Sequence, residues 1–214
     1  MTLRLYYHPL SSFCQKVLIA LYETGADFAP QIVDLRDEKE RAEFLKLWPI
    51  GKFPVLKDEA RDRLVPETSI IIEYLAQHYP GKSKLVPKDA DEARQMRLRD
   101  RFFDLYVNME MQKIIGDRMR PADKKDPFGV DQAKHRLATV YDMLERQVGK
   151  GWIMGEAFTM ADCAAAPALF YANMVMPFMD THKKVAAYFK RLTKRPSYAR
   201  VQKEAQPYLQ MVPR

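Results

Sequence analysis

The sequence has few of the features that mark membrane-spanning, secreted or metal-binding proteins. No apolar run is long enough to cross a bilayer, and the amino-terminal residues show no signal-peptide pattern. The 2 cysteines, Cys14 and Cys163, are far apart and form neither a metal-spaced pair nor a disulfide framework. Internal repeats and low-complexity tracts are also missing. These absences predict a protein of the reducing cytoplasm, without a membrane segment and without a metal.

What is present is typical of a folded globular chain with a basic surface. The 214 residues, of which 47% are apolar, can bury one core or two small ones. The net charge of +7 comes from basic clusters at Arg94 to Arg101, Lys124-Lys125 and Lys183 to Arg195. These clusters are interleaved with acids or spread along helices, so we interpret them as solvated helix faces and predict no nucleic-acid partner. A basic cleft that attracts small acidic ligands is compatible with the same pattern.

Strand and helix patterns alternate over residues 1–79, which predicts a small α/β domain. A strand at 3–7, a helix at 12–24 ended by Gly25 and a strand within 28–35 form a βαβ unit with parallel strands. Further elements are predicted as a helix at 38–47, a strand at 53–56, a short partner strand at 64–65 and a helix from 66–69 onward.

Residues 80–89 are rich in proline, lysine and glycine and are predicted to be a linker. Beyond it, residues 90–214 show helical patterns only, with helices at 89–119, 127–148, 159–169, 183–193 and 196–204. Thr159 and Asp162 have the spacing of a capping box at the start of one of them. The predicted fold is therefore a thioredoxin-like α/β domain followed by an all-helical bundle domain.

The polar segment Ser11-Ser12-Phe13-Cys14 follows the first strand and opens the first helix. Free backbone N–H groups and the helix dipole favour an anion at such a junction. A serine here either caps the helix or donates a hydroxyl hydrogen bond to a bound thiolate or oxyanion. Thioredoxins and glutaredoxins carry Cys-x-x-Cys where this chain begins with Ser11, so the attacking thiolate of a disulfide reductase is missing. Glu67-Thr68 opens a second helix and is a second possible anion cradle.

Taken together and in this order, four segments resemble cytosolic-type glutathione transferases over almost the whole chain, especially the serine-type theta, phi and zeta classes and their bacterial relatives. They are Ser11 to Val17, Gly51 to Leu56, Glu67-Thr68 leading into Ile71 to Leu75, and Gly155 to Asp162. The resemblance implies that glutathione is the co-substrate and that Ser11, or its neighbour Ser12, stabilises the glutathione thiolate. It also implies a homodimer and no metal.

Other glutathione contacts follow from the resemblance one residue at a time. The backbone of Phe53, before a cis Pro54, would pair with the cysteinyl unit, although sequence alone favours a trans bond. Lys52 would meet the glycine carboxylate, or is simply a solvated loop lysine. Glu67 would bind the γ-glutamyl ammonium and Thr68 its carboxylate, unless both only cap their helix.

The second substrate, a hydrophobic electrophile, should lie between the domains, although most apolar side chains there must belong to the core. The residues proposed to line its site are Tyr7, Leu10, Phe13, Phe102, Tyr106 and Met109, with Met174, Met176 and Phe178 as further members.

Departures from the family pattern leave other functions open. Trp48 replaces a frequent asparagine, and Phe13-Cys14 puts the isomerase activity of zeta-type enzymes in doubt. The alternatives are a non-catalytic glutathione-binding protein of the same fold and a glutathione-dependent peroxidase or thioltransferase that uses Cys14.

Overall fold

The computed structural model of the protein describes residues 2–212. The amino-terminal part is a four-stranded sheet in the order β2-β1-β3-β4, with β1 and β2 parallel and the other pairs antiparallel. Its strands are β1 (Leu3–Tyr7), β2 (Phe28–Ile32), β3 (Val55–Asp58) and β4 (Arg63–Pro66). Its helices are α1 (Ser12–Thr24), α2 (Glu38–Leu47) and α3 (Thr68–His78). The predicted βαβ unit is confirmed.

Local sequence explains why β1 and α1 meet where they do. Leu3, Leu5 and Tyr7 alternate along β1 and are buried. The run from Val17 to Leu21 in α1 is also fully buried, because both sides of this helix are covered. Gly25 ends α1 in a left-handed conformation with φ of 73°, and its N–H donates to the Leu21 carbonyl at 2.9 Å.

The carboxy-terminal part is helical and follows the segment 79–89. Its α-helices are α4 (Ala90–Phe102), α5 (Met109–Arg118), α6 (Pro127–Gln147), α7 (Met160–Val175), α8 (Lys183–Lys194) and α9 (Pro196–Ala205). Short 3₁₀ turns lie at Ala122–Lys124 and Gln206–Met211. Within residues 2–212 no helix is long and apolar enough to span a membrane.

The long helix expected over 89–119 is interrupted by a π-helical segment, Phe103–Asn108, between α4 and α5. A π-helix adds a residue per turn, so the side chains after it face a different direction than a continuous α-helix would give them. This change of direction explains why the apolar residues of 96–111 are too many for a single α-helical face.

The centre of the bundle is α7, which packs against α1, α4, α5, α8 and the π-helical segment. The predicted capping box at its start is present: the Thr159 N–H donates to Asp162 at 2.9 Å. Asp162 is fully buried and also accepts hydrogen bonds from the Ile153 N–H and the Tyr188 hydroxyl. Because α1 packs on α7 and α9, the amino-terminal end of α1 faces the helical domain.

Candidate functional site

Ser11 caps α1 through its side-chain oxygen, and its hydroxyl also makes a hydrogen bond with the Cys14 thiol. Its Oγ accepts from the Cys14 N–H at 3.3 Å, and its own N–H donates to the His8 carbonyl at 3.0 Å. A serine hydroxyl can accept and donate at the same time, so the capping role does not consume its O–H. The two roles considered from sequence are therefore compatible in one residue.

Ser12 and Cys14 follow in the first turn of α1, and both are largely or fully buried. Burial raises the pKa of the Cys14 thiol to about 12, although its hydrogen bond with Ser11 acts in the opposite direction. A thiol with this pKa is almost entirely protonated at neutral pH and is a poor nucleophile. The structure thus places Cys14 in the packed face of α1.

A second helix, α3, also begins with polar residues, at the point where β4 ends. Glu67 precedes α3 with φ of 69°, a left-handed conformation that is strained for a residue with a long side chain. Within residues 2–212 its carboxylate makes no capping hydrogen bond to α3. Thr68, the first residue of α3, is buried. The Phe53–Pro54 bond beside them is cis, as the resemblance implies.

These residues line a cavity of about 200 Å³ that we call the charged cavity. It brings together the predicted glutathione contacts Lys52, Phe53, Pro54, Glu67 and Thr68, with Phe13 and Met109 from the predicted second-substrate set. Trp48, Arg101, Asp104 and Leu105 complete the lining. From the sequence, Trp48 is only a departure from the family pattern, and Arg101, Asp104 and Leu105 have no predicted role at this site.

The charged cavity carries both signs of charge. Lys52 and Arg101 contribute cations, and Glu67 and Asp104 contribute carboxylates. Burial raises the pKa of Asp104, although the neighbouring Lys16 ammonium opposes that shift. A cavity with both charges is suited to a zwitterionic ligand that carries an ammonium and carboxylates.

Ser11 and Ser12 open instead into a second cavity, of about 410 Å³. We call it the methionine-lined cavity, because Met111, Met119 and Met211 contribute to its wall. The remaining lining residues are Leu10, Gln112, Ile115, Gly116, Tyr171 and Val212. Segment 10–13 therefore borders both cavities, with Phe13 on the charged side and Leu10 and the serines on the other.

The other residues predicted to contact a second substrate lie elsewhere. Tyr7 and Phe102 are buried in the core, and Tyr106 is 53% exposed with its ring edge against Phe102. Of the further members, Phe178 is buried and Met174 is exposed, and neither lines the two cavities. The methionine-lined cavity takes its wall from α5 instead, beyond the π-helical segment. The apolar spacing of Met111, Ile115 and Met119 is the signal that could have indicated it.

The two-domain fold and the polar junction at the end of β1 define a class in which a thioredoxin-like domain precedes a helical domain. Residues 5–83 match the family model for the glutathione S-transferase N-terminal domain, and residues 127–191 match the model for the C-terminal domain. The chain belongs to the glutathione transferase family.

Curated relatives agree with this assignment. Glutathione S-transferase F10 of Arabidopsis thaliana is 27% identical over 91% of this chain and 94% of its own length. The glutathione S-transferase-like protein LUC7 of a Fusarium species is 30% identical over 74% of this chain and 72% of its own length.

Solved structures show the same fold at lower identity. A glutathione S-transferase of Methylobacillus flagellatus with glutathione bound superposes with a TM-score of 0.84 at 22% identity, over 93% of this chain and 98% of that one. Glutathione transferase URE2P8 of Phanerochaete chrysosporium, solved with oxidised glutathione, superposes with a TM-score of 0.86 at 22% identity. The match covers 98% of this chain and 97% of that one.

Proposed function

We propose that the protein binds glutathione in the charged cavity and presents its thiolate to an apolar electrophile in the methionine-lined cavity. The observation that carries this proposal is that the junction between β1 and α1 borders both cavities. A sulfur held at that junction would lie between the two ligands. Relatives and solved structures named as glutathione transferases support the proposal.

The charges in the charged cavity match the groups of the tripeptide. Glu67 and Asp104 would face the γ-glutamyl ammonium, and Thr68 at the start of α3 would receive its carboxylate. The backbone of Phe53, before the cis proline, would pair with the cysteinyl unit. Lys52 is exposed and in the described residues has no ion-pair partner, so it is free to meet the glycine carboxylate.

The catalytic effect of the junction would be to stabilise the charged form of the sulfur. A free thiol has a pKa near 8.5, so only a few per cent is thiolate at neutral pH. Lowering that pKa by about two units requires roughly 2.7 kcal/mol of differential stabilisation. One hydroxyl donor and the amino-terminal end of α1 are sufficient for a contribution of this size. The serine acts as a hydrogen-bond donor and not as a base.

Two measurements on the unmodified protein test this function. Ultraviolet difference spectra of bound glutathione over a pH series should show a thiol pKa below that of free glutathione, and a panel of apolar electrophiles should be conjugated. Glutathione binding without a lowered pKa and without turnover would instead identify a non-catalytic binding protein. The peroxidase or thioltransferase alternative through Cys14 finds no support in the burial of that thiol.

A homodimer also belongs to the proposal, and an exposed apolar face supports it. Ile70 on α3 and Leu98 on α4 are 55% and 59% exposed. Glu73, one turn after Ile70, pairs with Arg97, which precedes Leu98, so the two helices are joined at this face.

A cytoplasmic location remains our prediction, because the proposed reaction consumes reduced glutathione.

A further inference from the structure

The side of α8 that faces solvent carries cations and no acid. The exposed residues of this helix are Lys183, Lys184, Ala187, Lys190 and Lys194, with the partly buried Arg191 beside them. Its opposite side is buried and consists of Val185, Ala186, Tyr188, Phe189 and Leu192. Helical spacing therefore places the four exposed lysines and Arg191 on one face, which we call the basic stripe.

Most cations of the basic stripe have no carboxylate partner within residues 2–212. Lys183 has one, because its Nζ lies 3.6 Å from a carboxylate oxygen of Asp180. The other lysines of the stripe make no ion pair with any described residue. On the next helix, α9, Arg200 pairs with Glu204 at 2.9 Å. The stripe thus keeps its charges uncompensated, whereas the neighbouring helix does not.

Arg191 connects the stripe to a loop that carries a further cation. Its Nη2 donates to the Gly149 carbonyl at 2.8 Å and to the Gly151 carbonyl at 3.0 Å. These hydrogen bonds hold the loop against the carboxy-terminal half of α8. Lys150, between the two glycines, is exposed and makes no ion pair with any described residue. The positive surface therefore extends beyond the helix at this end.

Helix stability does not account for the basic stripe. The helix dipole favours cations in the last turn, where Lys194 lies, but disfavours them in the first turn, where Lys183 and Lys184 lie. The first turn of α8 contains no acid, and Glu145 of α6 accepts the Lys184 N–H at 2.9 Å instead. Lys190 and Lys194 are one turn apart, a spacing at which like charges repel. Acidic groups placed against the stripe would remove this repulsion.

The shape of the stripe indicates which kind of acidic partner fits. From Lys183 to Lys194 it is about 16 Å long. Three carboxylates surround its amino-terminal end and limit its width there: Asp142, Glu145 and Asp180. A bilayer surface or a nucleic-acid duplex is wider than one helix and would meet these carboxylates. An α-helix, about 10 Å across, covers the stripe without reaching them.

We propose that the basic stripe is a docking surface for an acidic α-helix of another protein. Such a helix would carry Asp or Glu every three to four residues along one face, so that its carboxylates meet the lysines in register. Ala187, at the centre of the stripe, is small and leaves room for a close approach. None of the stripe residues lines the charged cavity or the methionine-lined cavity, so the proposal does not rest on the proposed function.

The test measures the binding of two labelled synthetic peptides to the full-length protein by fluorescence anisotropy. Both are alanine-based helices with the same number of glutamates. In the first peptide the glutamates lie along one face, and in the second they are distributed around the helix. The first should bind about 10-fold more tightly, because only its carboxylates can meet the lysines together. Its affinity should fall as ionic strength rises, since exposed charges are screened.

Two pairs of substitutions locate the binding surface. Lys190→Gln combined with Lys194→Gln removes two charges from the stripe and should weaken binding of the first peptide about 10-fold. Lys124→Gln combined with Lys134→Gln is the matched control, since both lysines are exposed in the same helical domain and lie outside the stripe. The control lowers the net charge equally and should leave the affinity unchanged. Glutathione conjugation should be the same in both variants.

Every other outcome overturns the proposal. Equal affinity for the two peptides, or equal losses in the two variants, would show a response to net charge alone. Failure of the first peptide to bind at low ionic strength would also reject the surface. Tighter binding of a DNA duplex, or of vesicles of phosphatidylcholine and phosphatidylserine, would identify a nucleic acid or an anionic membrane as the partner instead. Conjugation of electrophiles is measured separately, so none of these results affects the proposed function.

Discussion

The Lys16 ammonium nitrogen lies 2.7 Å from an Asp104 carboxylate oxygen, and both side chains are almost completely buried. Asp100, on α4, contacts the same nitrogen at 2.7 Å, and Ser69 Oγ lies 3.0 Å from it. Lys16 on α1 thereby links the α/β domain to α4 and the π-helical segment. One ammonium therefore faces two carboxylates behind the charged cavity.

Lys16→Met should strongly destabilise the protein, by about 3–5 kcal/mol, because it leaves two carboxylates buried without a cation. The loss should depend on pH. Burial already raises the pKa of Asp104 above its ordinary value of 3.8, and without Lys16 the pKa rises further. The folded state then holds a proton that the unfolded state releases, so stability falls as pH increases through this window. Chemical denaturation at about pH 4 and about pH 7 measures the difference.

Lys46→Met is the matched control for that variant. Lys46 pairs with Glu43 on α2 with both side chains more than 60% exposed (71% and 65%). An exposed pair contributes at most about 1 kcal/mol, so its loss should be small and almost independent of pH. Similar losses in the two variants at both pH values would contradict the role given to the buried cluster.

Ser11→Ala should weaken both functions of the serine hydroxyl. Loss of the cap on α1 should lower the free energy of unfolding by about 1 kcal/mol. Loss of the proposed donor should raise the pKa of the bound glutathione thiol by about one unit, since a charge-assisted hydrogen bond contributes about 1.5–3 kcal/mol. Spectroscopic titration of bound glutathione and kcat for a model electrophile measure this effect, and Ser12→Ala identifies which serine contacts the sulfur.

A capping control separates the two effects. Asp89 caps α4 through the N–H groups of Asp91 and Glu92 and lies away from both cavities. Asp89→Ala should cost a similar free energy of unfolding and leave the thiol pKa unchanged. If Ser11→Ala and Ser12→Ala both behave like Asp89→Ala, neither serine stabilises the thiolate.

Cys14 and Cys163 should not react with thiol reagents in the folded protein. Both side chains are buried, and burial raises both pKa values, that of Cys14 to about 12. Because the thiolate is the form that reacts with such reagents, labelling should require unfolding. Both cysteines should then react. Cys14→Ala should retain conjugation. Rapid labelling of Cys14 under native conditions would instead favour thiol chemistry at this residue.

Leu98→Glu should convert the proposed dimer into a monomer, because it places a charge in an apolar face that a second copy would bury. Size-exclusion chromatography with light scattering measures the mass, for which the chain contributes 25.0 kDa. Phe128→Glu is the control, since Phe128 on α6 is 73% exposed and lies outside that face. A monomer in the unmodified protein, or one produced equally by both variants, would reject this interface.

The elements that depend only on residues close together in the sequence could be predicted from it. Alternating apolar residues specify β1, Gly25 ends α1, and Thr159 with Asp162 begins α7, since each of these signals is complete within one turn or strand. Family motifs carried by contiguous residues likewise indicated the two-domain fold and the family, both of which the comparisons confirm.

What the tertiary structure alone decided is which distant side chains share a cavity. Lys16 and Asp104 are 88 residues apart, and Gln15 and Tyr171 are 156 apart. Their contacts require the packing of α1 against α7 and the change of side-chain direction in the π-helical segment. Periodicity marks a residue as buried but does not identify its partner across the core, because that partner depends on how whole helices pack. For this reason the sequence determined the fold and the serine junction, whereas the structure decided which residues surround each cavity.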